Sequence, residues 1–314
     1  MKNKVLIVGG AGYIGGFLTD YLTANDKEVT VYDNLLFESR FLKNCKFIKG
    51  DIRDSKKLDK IVHDYDVVVW LAGLVGDGAC QVSPALTKDL NVDSFKWLVD
   101  NYEGKIVFPS TCSVYGMNND LIGEDAKPNP LSLYAATKLE AEKYVLKNRP
   151  DSLVFRLGTL FGLGDRHSRM RLDLVANILS MRAAMGETLT VFGGEQWRPL
   201  LHVRDVSTAI LHGLDNNISG IYNLSYKNFK ITEVASEIKK VISDCKVDYV
   251  DMAFEDLRNY KVKNDKYLNT GWKPQYNLQY GVKQISTLIS EERIKDTGDE
   301  VYSNAAFMRR LNEF

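Results

Sequence analysis

Short apolar runs alternate with amphipathic stretches through the first half of the chain. Lys4-Val5-Leu6-Ile7-Val8 has the length of a buried strand, and a helical pattern of Phe17, Leu18, Tyr21 and Leu22 follows it. Glu28-Val29-Thr30-Val31-Tyr32 and Lys46-Phe47-Ile48-Lys49 read as further strands. Asp66-Val67-Val68-Val69-Trp70-Leu71 is almost continuously apolar, as a parallel strand covered on both faces should be. The pattern then predicts a helix over 84–102, a strand over 105–108, a helix over 132–147 and a strand over 152–156. Such alternation predicts an α/β fold with a doubly wound parallel sheet. After about residue 157 the segments shorten and become more polar, with turn signals at Gly162-Leu163-Gly164-Asp165, Gly193-Gly194 and Asp215-Asn216-Asn217. The expected division is therefore 1–157 for the sheet domain and 158–314 for a smaller, mostly C-terminal α/β lobe. That lobe closes over the strand ends, with some of its segments returning to the first domain. The stretch from Glu291 reads as charged and partly extended.

Composition narrows the function classes. Lys plus Arg equals Asp plus Glu at 41 each, which argues against nucleic-acid and membrane-surface partners. No apolar run reaches the roughly 18 residues a spanning helix needs. The apolar segment behind Met1-Lys2-Asn3-Lys4 is a five-residue strand, not a signal sequence. Cys45, Cys80, Cys112 and Cys245 lack metal-type spacing and fit a reducing, cytoplasmic setting with no metal.

The first strand runs into Gly9-Gly10-Ala11-Gly12-Tyr13-Ile14-Gly15. Gly9 permits a tight turn, Gly12 lets the backbone approach a pyrophosphate, and Gly15 lets the helix pack on the strand. The helix start offers unpaired N–H groups and a positive dipole end to an anion. Asp33, eighteen residues after Gly15, ends the second strand, where a carboxylate accepts from both ribose hydroxyls. Asn34, Leu35 and Leu36 follow, and none is basic. A 2′-phosphate would meet a like charge there, so the cofactor expected is NAD.

Hydroxyl groups collect at Ser110-Thr111-Cys112-Ser113-Val114-Tyr115-Gly116, just after the strand over 105–108. Further on, Tyr134 and Lys138 share one helix face at i and i+4. A phenol with an ordinary pKa near 10 is a poor base at neutral pH. A nearby ammonium and an oxidised nicotinamide both favour the phenolate, and the pair can then act as a general base. Thr111 can bond the same substrate oxygen.

The GxxGxxG spacing, Asp33, Gly50-Asp51-Ile52, Leu71-Ala72-Gly73, the segment 110–116 and Tyr134-x-x-x-Lys138 together resemble the extended short-chain dehydrogenase/reductase family. More narrowly they are similar to its nucleotide-sugar epimerases and dehydratases. The stretch from Val191 to Val206, with Gly193-Gly194-Glu195 and Arg198-Pro199, resembles that group's substrate-lobe segment. The resemblance implies a Rossmann-type domain holding NAD. Tyr134 matches the catalytic tyrosine, Lys138 its partner lysine and Thr111 the hydroxyl partner. Gly9, Gly12, Tyr13, Ile14 and Gly15 match the pyrophosphate loop and Asp33 with Asn34 the ribose site. Asp51 and Ile52 match the adenine site. Leu71, Ala72 and Gly73 match the cofactor-lining strand end, where alanine is more usual than Gly73. Asn91 matches a structural or cofactor-side asparagine. Asn177, Arg198 and Arg258 match contacts to a nucleotide diphosphate, for which an arginine fork is suited.

Two departures matter. The family's 4,6-dehydratases carry Asp-Glu after the catalytic threonine, whereas this chain has Cys112 and Ser113. These substrate-side positions lack the carboxylates that elimination needs. Beside a transient ketone Cys112 offers an acid/base group for epimerisation, but free cysteine is usually a small buried side chain, which is the plainer reading. The stretch 157–162 also departs, since Gly158 and Phe161 lack the group's usual asparagine and tyrosine. The loop 73–80, with Arg166, His167, Ser168 and Arg169, is expected at the sugar end.

The resemblance thus implies NAD-dependent oxidation at C4 of a GDP-, UDP-, CDP- or dTDP-linked sugar, in surface-polysaccharide synthesis. The outcome is 4-epimerisation or net 4-dehydrogenation, and a GDP-linked heptose 4-dehydrogenase is one such member. Alternatives are 3,5-epimerase or 4,6-dehydratase chemistry and, from another class, a non-catalytic NAD sensor. A homodimer or larger homo-oligomer, built through the Tyr134 helix, is also implied.

Overall fold

The computed structural model of the protein describes residues 3–165, 167, 169–250 and 258–312. Seven parallel strands form the main sheet. Across it they run Gly220–Leu224, Leu153–Leu157, Lys105–Thr111, Val67–Trp70, Lys4–Val8, Glu28–Asp33 and Lys46–Lys49. The direction of winding reverses between Lys4–Val8 and Val67–Trp70. Ligands of doubly wound sheets bind at the crevice outside such a reversal.

The central strands are buried on both faces, and Val5, Leu6, Ile7, Val8, Val68 and Val69 have no exposed surface. Leu6, Val8, Val68 and Trp70 pack towards Phe95, Leu98 and Val145 on one side. Val5, Ile7 and Val69 pack towards Leu18, Leu22, Val206 and Ile210 on the other. The apolar runs are near-continuous because both faces carry helices.

Three elements differ from the sequence pattern. The strand expected over 105–108 extends to Thr111, because Ser110 and Thr111 pair with Arg156 and Leu157 of the neighbouring strand. The helix expected over 84–102 is interrupted. Pro84–Lys88 leads into a π turn, Asp89–Asp93, and then Ser94–Asn101. The π turn carries Asn91 inward, where its amide accepts from the Leu74 N–H at 2.7 Å and donates to the Leu74 carbonyl at 2.9 Å. Nor is the stretch after Glu291 extended to its end. A short 3₁₀ turn, Glu300–Tyr302, leads into the helix Asn304–Asn312. That helix forms because Phe307 and Met308 find burial, Met308 against Leu74, Ala79 and Cys80.

Beyond Leu157 the chain serves both parts of the molecule. Trp197–His202 pairs with Lys227–Lys230 and Thr159–Phe161 in a small mixed sheet. Phe161, Leu179, Leu200 and Phe229 make a separate core beside it. The helix Val203–Asp215 and the strand Gly220–Leu224 return to the main sheet, the strand as its edge. Among the described residues no helix is long and apolar enough to cross a membrane.

Candidate active site

The glycine loop sits at the winding reversal, and its first helix starts at Gly15. Gly9 has φ +85°, donates to the Tyr32 carbonyl at 2.8 Å, and a Cβ there would lie 2.4 Å from the Ala72 nitrogen. A Cβ on Gly15 would lie 2.4 Å from the Gly10 oxygen. Gly12 differs, since a Cβ on it would meet only the Gly9 oxygen, at 3.5 Å. Its free side faces an open cleft, which is the cradle a diphosphate requires.

Gly9, Gly12, Tyr13, Ile14, Gly15, Asp33, Asn34, Ile52, Leu71, Ala72 and Gly73 all line that one cleft. The Asp33 carboxylate accepts from the Ala11 N–H at 3.0 Å and the Leu35 N–H at 2.8 Å. Burial raises its pKa, and those backbone donors oppose the rise. Gly73 is explained by Asn91, whose Oδ1 would lie 2.7 Å from an alanine Cβ at that position. Asp51 sits between Gly50 and Ile52, which line the cleft, and its carboxylate holds Arg53, with Nε at 3.0 Å and Nη2 at 2.7 Å. These residues fit a bound NAD, with the glycine loop at its diphosphate and Asp33 at its ribose.

Thr111, Tyr134 and Lys138 meet at the carboxyl end of the sheet. Thr111 caps the 3₁₀ turn Cys112–Tyr115, accepting from the Ser113 N–H at 3.1 Å. Ser132 caps the helix Leu133–Asn148, which carries Tyr134 and Lys138 half-buried on one face. Tyr134 packs on Leu74 and Cys80, beside the cleft that Leu74 lines. Burial pushes the phenol above its ordinary pKa, Cys80 and Asp77 add to this, and Thr111 and the Arg171 guanidinium oppose it. The Lys138 ammonium stands 4.0 Å from the centre of the Phe108 ring, and burial lowers it to about 7 against the pull of Glu142.

Sequence reasoning missed the network beneath this pair. Glu142, 1% exposed, accepts from Ser110 Oγ at 2.7 Å and Arg156 Nη2 at 2.6 Å. Arg156 Nη1 donates to the Tyr115 hydroxyl at 2.7 Å, which donates to Asn223 at 2.8 Å. The signal was present: Glu142 lies one turn beyond Lys138 on the same face, and Arg156 interrupts an apolar strand.

The substrate-side residues divide. Cys112 has no exposed surface, its thiol donates to the Arg156 carbonyl at 3.1 Å, and burial drives its pKa far up. It does not face the cleft. The Ser113 hydroxyl is likewise buried, 3.2 Å from the Tyr260 hydroxyl. Asn177 is a correction. It is wholly buried, accepts from the Gly162 N–H at 2.8 Å, and donates to the Arg171 carbonyl at 2.8 Å and the Tyr13 hydroxyl at 3.2 Å. Its amide is consumed in joining the two lobes, where the Tyr13 hydroxyl donates to the Gly162 carbonyl. Arg198 and Arg258 come together, since Arg198 Nη1 donates to the Arg258 carbonyl. Arg258 pairs with Asp77 at 2.8 Å, and Asp77 accepts from Ser132 Oγ at 2.6 Å. These two arginines thus connect to the start of the Tyr134 helix. His167 is exposed, with its N–H on Asp165 at 2.6 Å. Arg166 and Ser168 lie outside the described residues.

A further wall of the cleft carries no motif. Arg169 stands 4.0 Å from the centre of the Phe37 ring, donates from Nη1 to the Val301 carbonyl at 2.6 Å and from Nη2 to Asn304. Asn304 donates to the Val75 carbonyl at 2.7 Å, and Phe307 packs on Phe37 at 4.8 Å. Phe37, Glu38, Arg169, Arg171 and Asn304 all line the same cleft as the glycine loop.

Comparison with known proteins agrees with this geometry. A family model described as the NAD dependent epimerase/dehydratase family matches residues 5–225. The chain is 30% identical over 299 residues to a putative UDP-glucose 4-epimerase of Methanocaldococcus jannaschii, covering 90% of this chain and 96% of that one. It is 29% identical over 311 residues to a UDP-glucose 4-epimerase of Rhizobium meliloti, covering 88% and 94% respectively. The structure of the Thermus thermophilus UDP-glucose 4-epimerase in complex with NAD superposes with a TM-score of 0.77 at 25% identity, covering 90% of this chain and 98% of that one.

Proposed function

Because the chain belongs to the NAD-dependent epimerase/dehydratase family of nucleotide-sugar-modifying enzymes, we propose that it oxidises C4 of a nucleotide-diphosphate sugar. The observation that carries this reading is the helix bearing Tyr134 and Lys138 beside the dinucleotide cleft, with Tyr134 packed on Leu74, a residue of the cleft wall. NAD, when bound, supplies the hydride acceptor. Tyr134 takes the C4 hydroxyl proton onto its phenolic oxygen, and Thr111 orients the reacting oxygen. Burial alone would keep Tyr134 protonated, so the base needs positive charge around it. Arg171 opposes the upward shift already. Lys138, lowered to about 7, can hold or release a proton at Nζ close to neutral pH. Arg198 and Arg258 take the nucleotide diphosphate, Arg258 exchanging Asp77 for it.

Elimination of water is disfavoured by the two positions after Thr111. Neither carries a carboxylate, and Cys112 and Ser113 bond to Arg156 and Tyr260. The two epimerase relatives favour a uridine-linked hexose and return of the hydride, over a GDP-linked heptose and net dehydrogenation. We assign the chain a homodimer through the helices Ser94–Asn101 and Leu133–Asn148, which lie side by side with Lys96 on Glu140 at 2.6 Å.

The test is turnover of UDP-glucose and UDP-galactose with NAD, read by product analysis and NADH absorbance. Tyr134→Phe should lower turnover by roughly 100-fold or more, with NAD affinity unchanged. Wild-type turnover in that variant would remove the assigned base. No hydride transfer across a wide sugar panel, with NAD still bound, would leave the non-catalytic sensor.

A further inference from the structure

Arg171 is a buried cation whose hydrogen-bond donors the reaction as described leaves unassigned. Its side chain is only 9% exposed. Nε bonds Asp173 Oδ1 at 2.6 Å and Nη2 bonds Asp173 Oδ2 at 3.1 Å. Nη1 has no partner among the described residues. The side chain nevertheless lines the cleft, and Nη2 lies 3.9 Å from where a Cβ on Gly76 would stand. Its backbone is fixed as well. The Asn177 amide that holds the Arg171 carbonyl at 2.8 Å also reaches the Tyr13 hydroxyl of the glycine loop at 3.2 Å. The guanidinium is therefore locked between the glycine loop and the loop 73–76, within electrostatic reach of Tyr134.

A guanidinium donor that opens into a cleft is completed by water until a better acceptor arrives, and an anionic oxygen is such an acceptor. Asp173 uses one edge of the fork. Arg169, two residues earlier, lines the same cleft, and burial together with Arg171 lowers it to about 10. Its Nη1 and Nη2 hold Val301 and Asn304, whereas one whole terminal nitrogen of Arg171 is left to the cleft.

We infer that Arg171 is an oxyanion seat in the cleft, which takes a ligand oxygen bearing negative charge beside the reacting end of the sugar. Two ligands can present that chemistry: the diphosphate of the cofactor, or a carboxylate on the sugar ring. An arginine edge suits either. The inference rests on the cleft holding cofactor and sugar as proposed above. NAD binding measured without any sugar tests it separately from the C4 assignment.

The experiment compares wild type, Arg171→Gln and Arg171→Lys. NAD affinity is measured by calorimetry in the absence of sugar. Binding of UDP-glucose and UDP-glucuronate is measured on the NAD-loaded protein. Loss of a charge-assisted bond predicts a drop of about tenfold or more. A drop for NAD in Arg171→Gln, partly restored in Arg171→Lys, identifies the cofactor diphosphate. Unchanged NAD affinity with a drop for UDP-glucuronate alone identifies a sugar carboxylate. NAD and both sugars bound within twofold of wild type, at an unchanged melting temperature, would overturn the seat. If Arg171→Gln does not fold, Arg171→Met, which keeps an apolar stem without the charge, is measured instead: wild-type affinity for all three ligands in that variant overturns the proposal.

Discussion

The two walls of the cleft are built on different principles. The glycine loop is made of backbone, and each of its residues matters for what it lacks. Gly9 and Gly15 leave room for Ala72 and Gly10, and Gly12 leaves room for a ligand. The other wall is made of side chains, Phe37, Arg169, Arg171 and Asn304, drawn from segments far apart in sequence. The first wall is specified by residue types within seven positions. The second is specified by which partner each side chain happens to meet. A backbone site is therefore robust in sequence, whereas a side-chain site can be rewired while its residue types look unchanged.

The contrast can be broken most forcefully beneath the catalytic helix. Glu142→Ala leaves Arg156 buried without its carboxylate, and loss of one partner of a buried pair costs about 3–5 kcal/mol. Denaturant unfolding should show that loss. A cost under about 1 kcal/mol would mean that side-chain networks here tolerate rewiring. Next comes the loop itself. Gly15→Ala forces a Cβ against the Gly10 backbone at 2.4 Å, and such overpacking costs about 1–3 kcal/mol. NAD affinity should fall with stability, because the loop cannot shift without moving its N–H groups. Gly12→Ala should instead spare stability and lose NAD affinity alone. Equal losses in the two variants would erase the distinction between packing and ligand-facing glycines. The smallest effect is expected at Cys112, which does not face the cleft. Cys112→Ala should cost about 1 kcal/mol and leave steady-state turnover within twofold. A large kinetic loss would return Cys112 to the chemistry.

The same contrast explains what was legible in the sequence. The strands Lys4–Val8 and Lys46–Lys49 appear where their apolar and β-branched residues placed them. The cofactor residues were readable because a glycine's role follows from its spacing. The ion pair of Asp51 with Arg53 was not foreseen, because nothing in the residue types says which neighbour a surface carboxylate meets. Asn177 was misplaced because residue identity says nothing of burial, and its amide is wholly engaged between lobes. The π turn at Asp89–Asp93 was unreadable because its cause, the Leu74 backbone, lies seventeen residues from Asn91. The seat of Lys138 over the Phe108 ring was unreadable, because the ring lies thirty positions earlier on a strand.

The wall that includes Asn304 also has a history in time. Arg169 and Asn304 are separated by 135 positions. At the usual 5–20 residues per second of synthesis, roughly ten seconds pass between their emergence from the ribosome. The glycine loop, Asp33 and the central strands are made earlier still. A nascent chain thus displays its dinucleotide cradle with one side missing, and the segment 300–312 arrives afterwards to complete it. Loading during translation would meet an open door that the finished protein no longer presents.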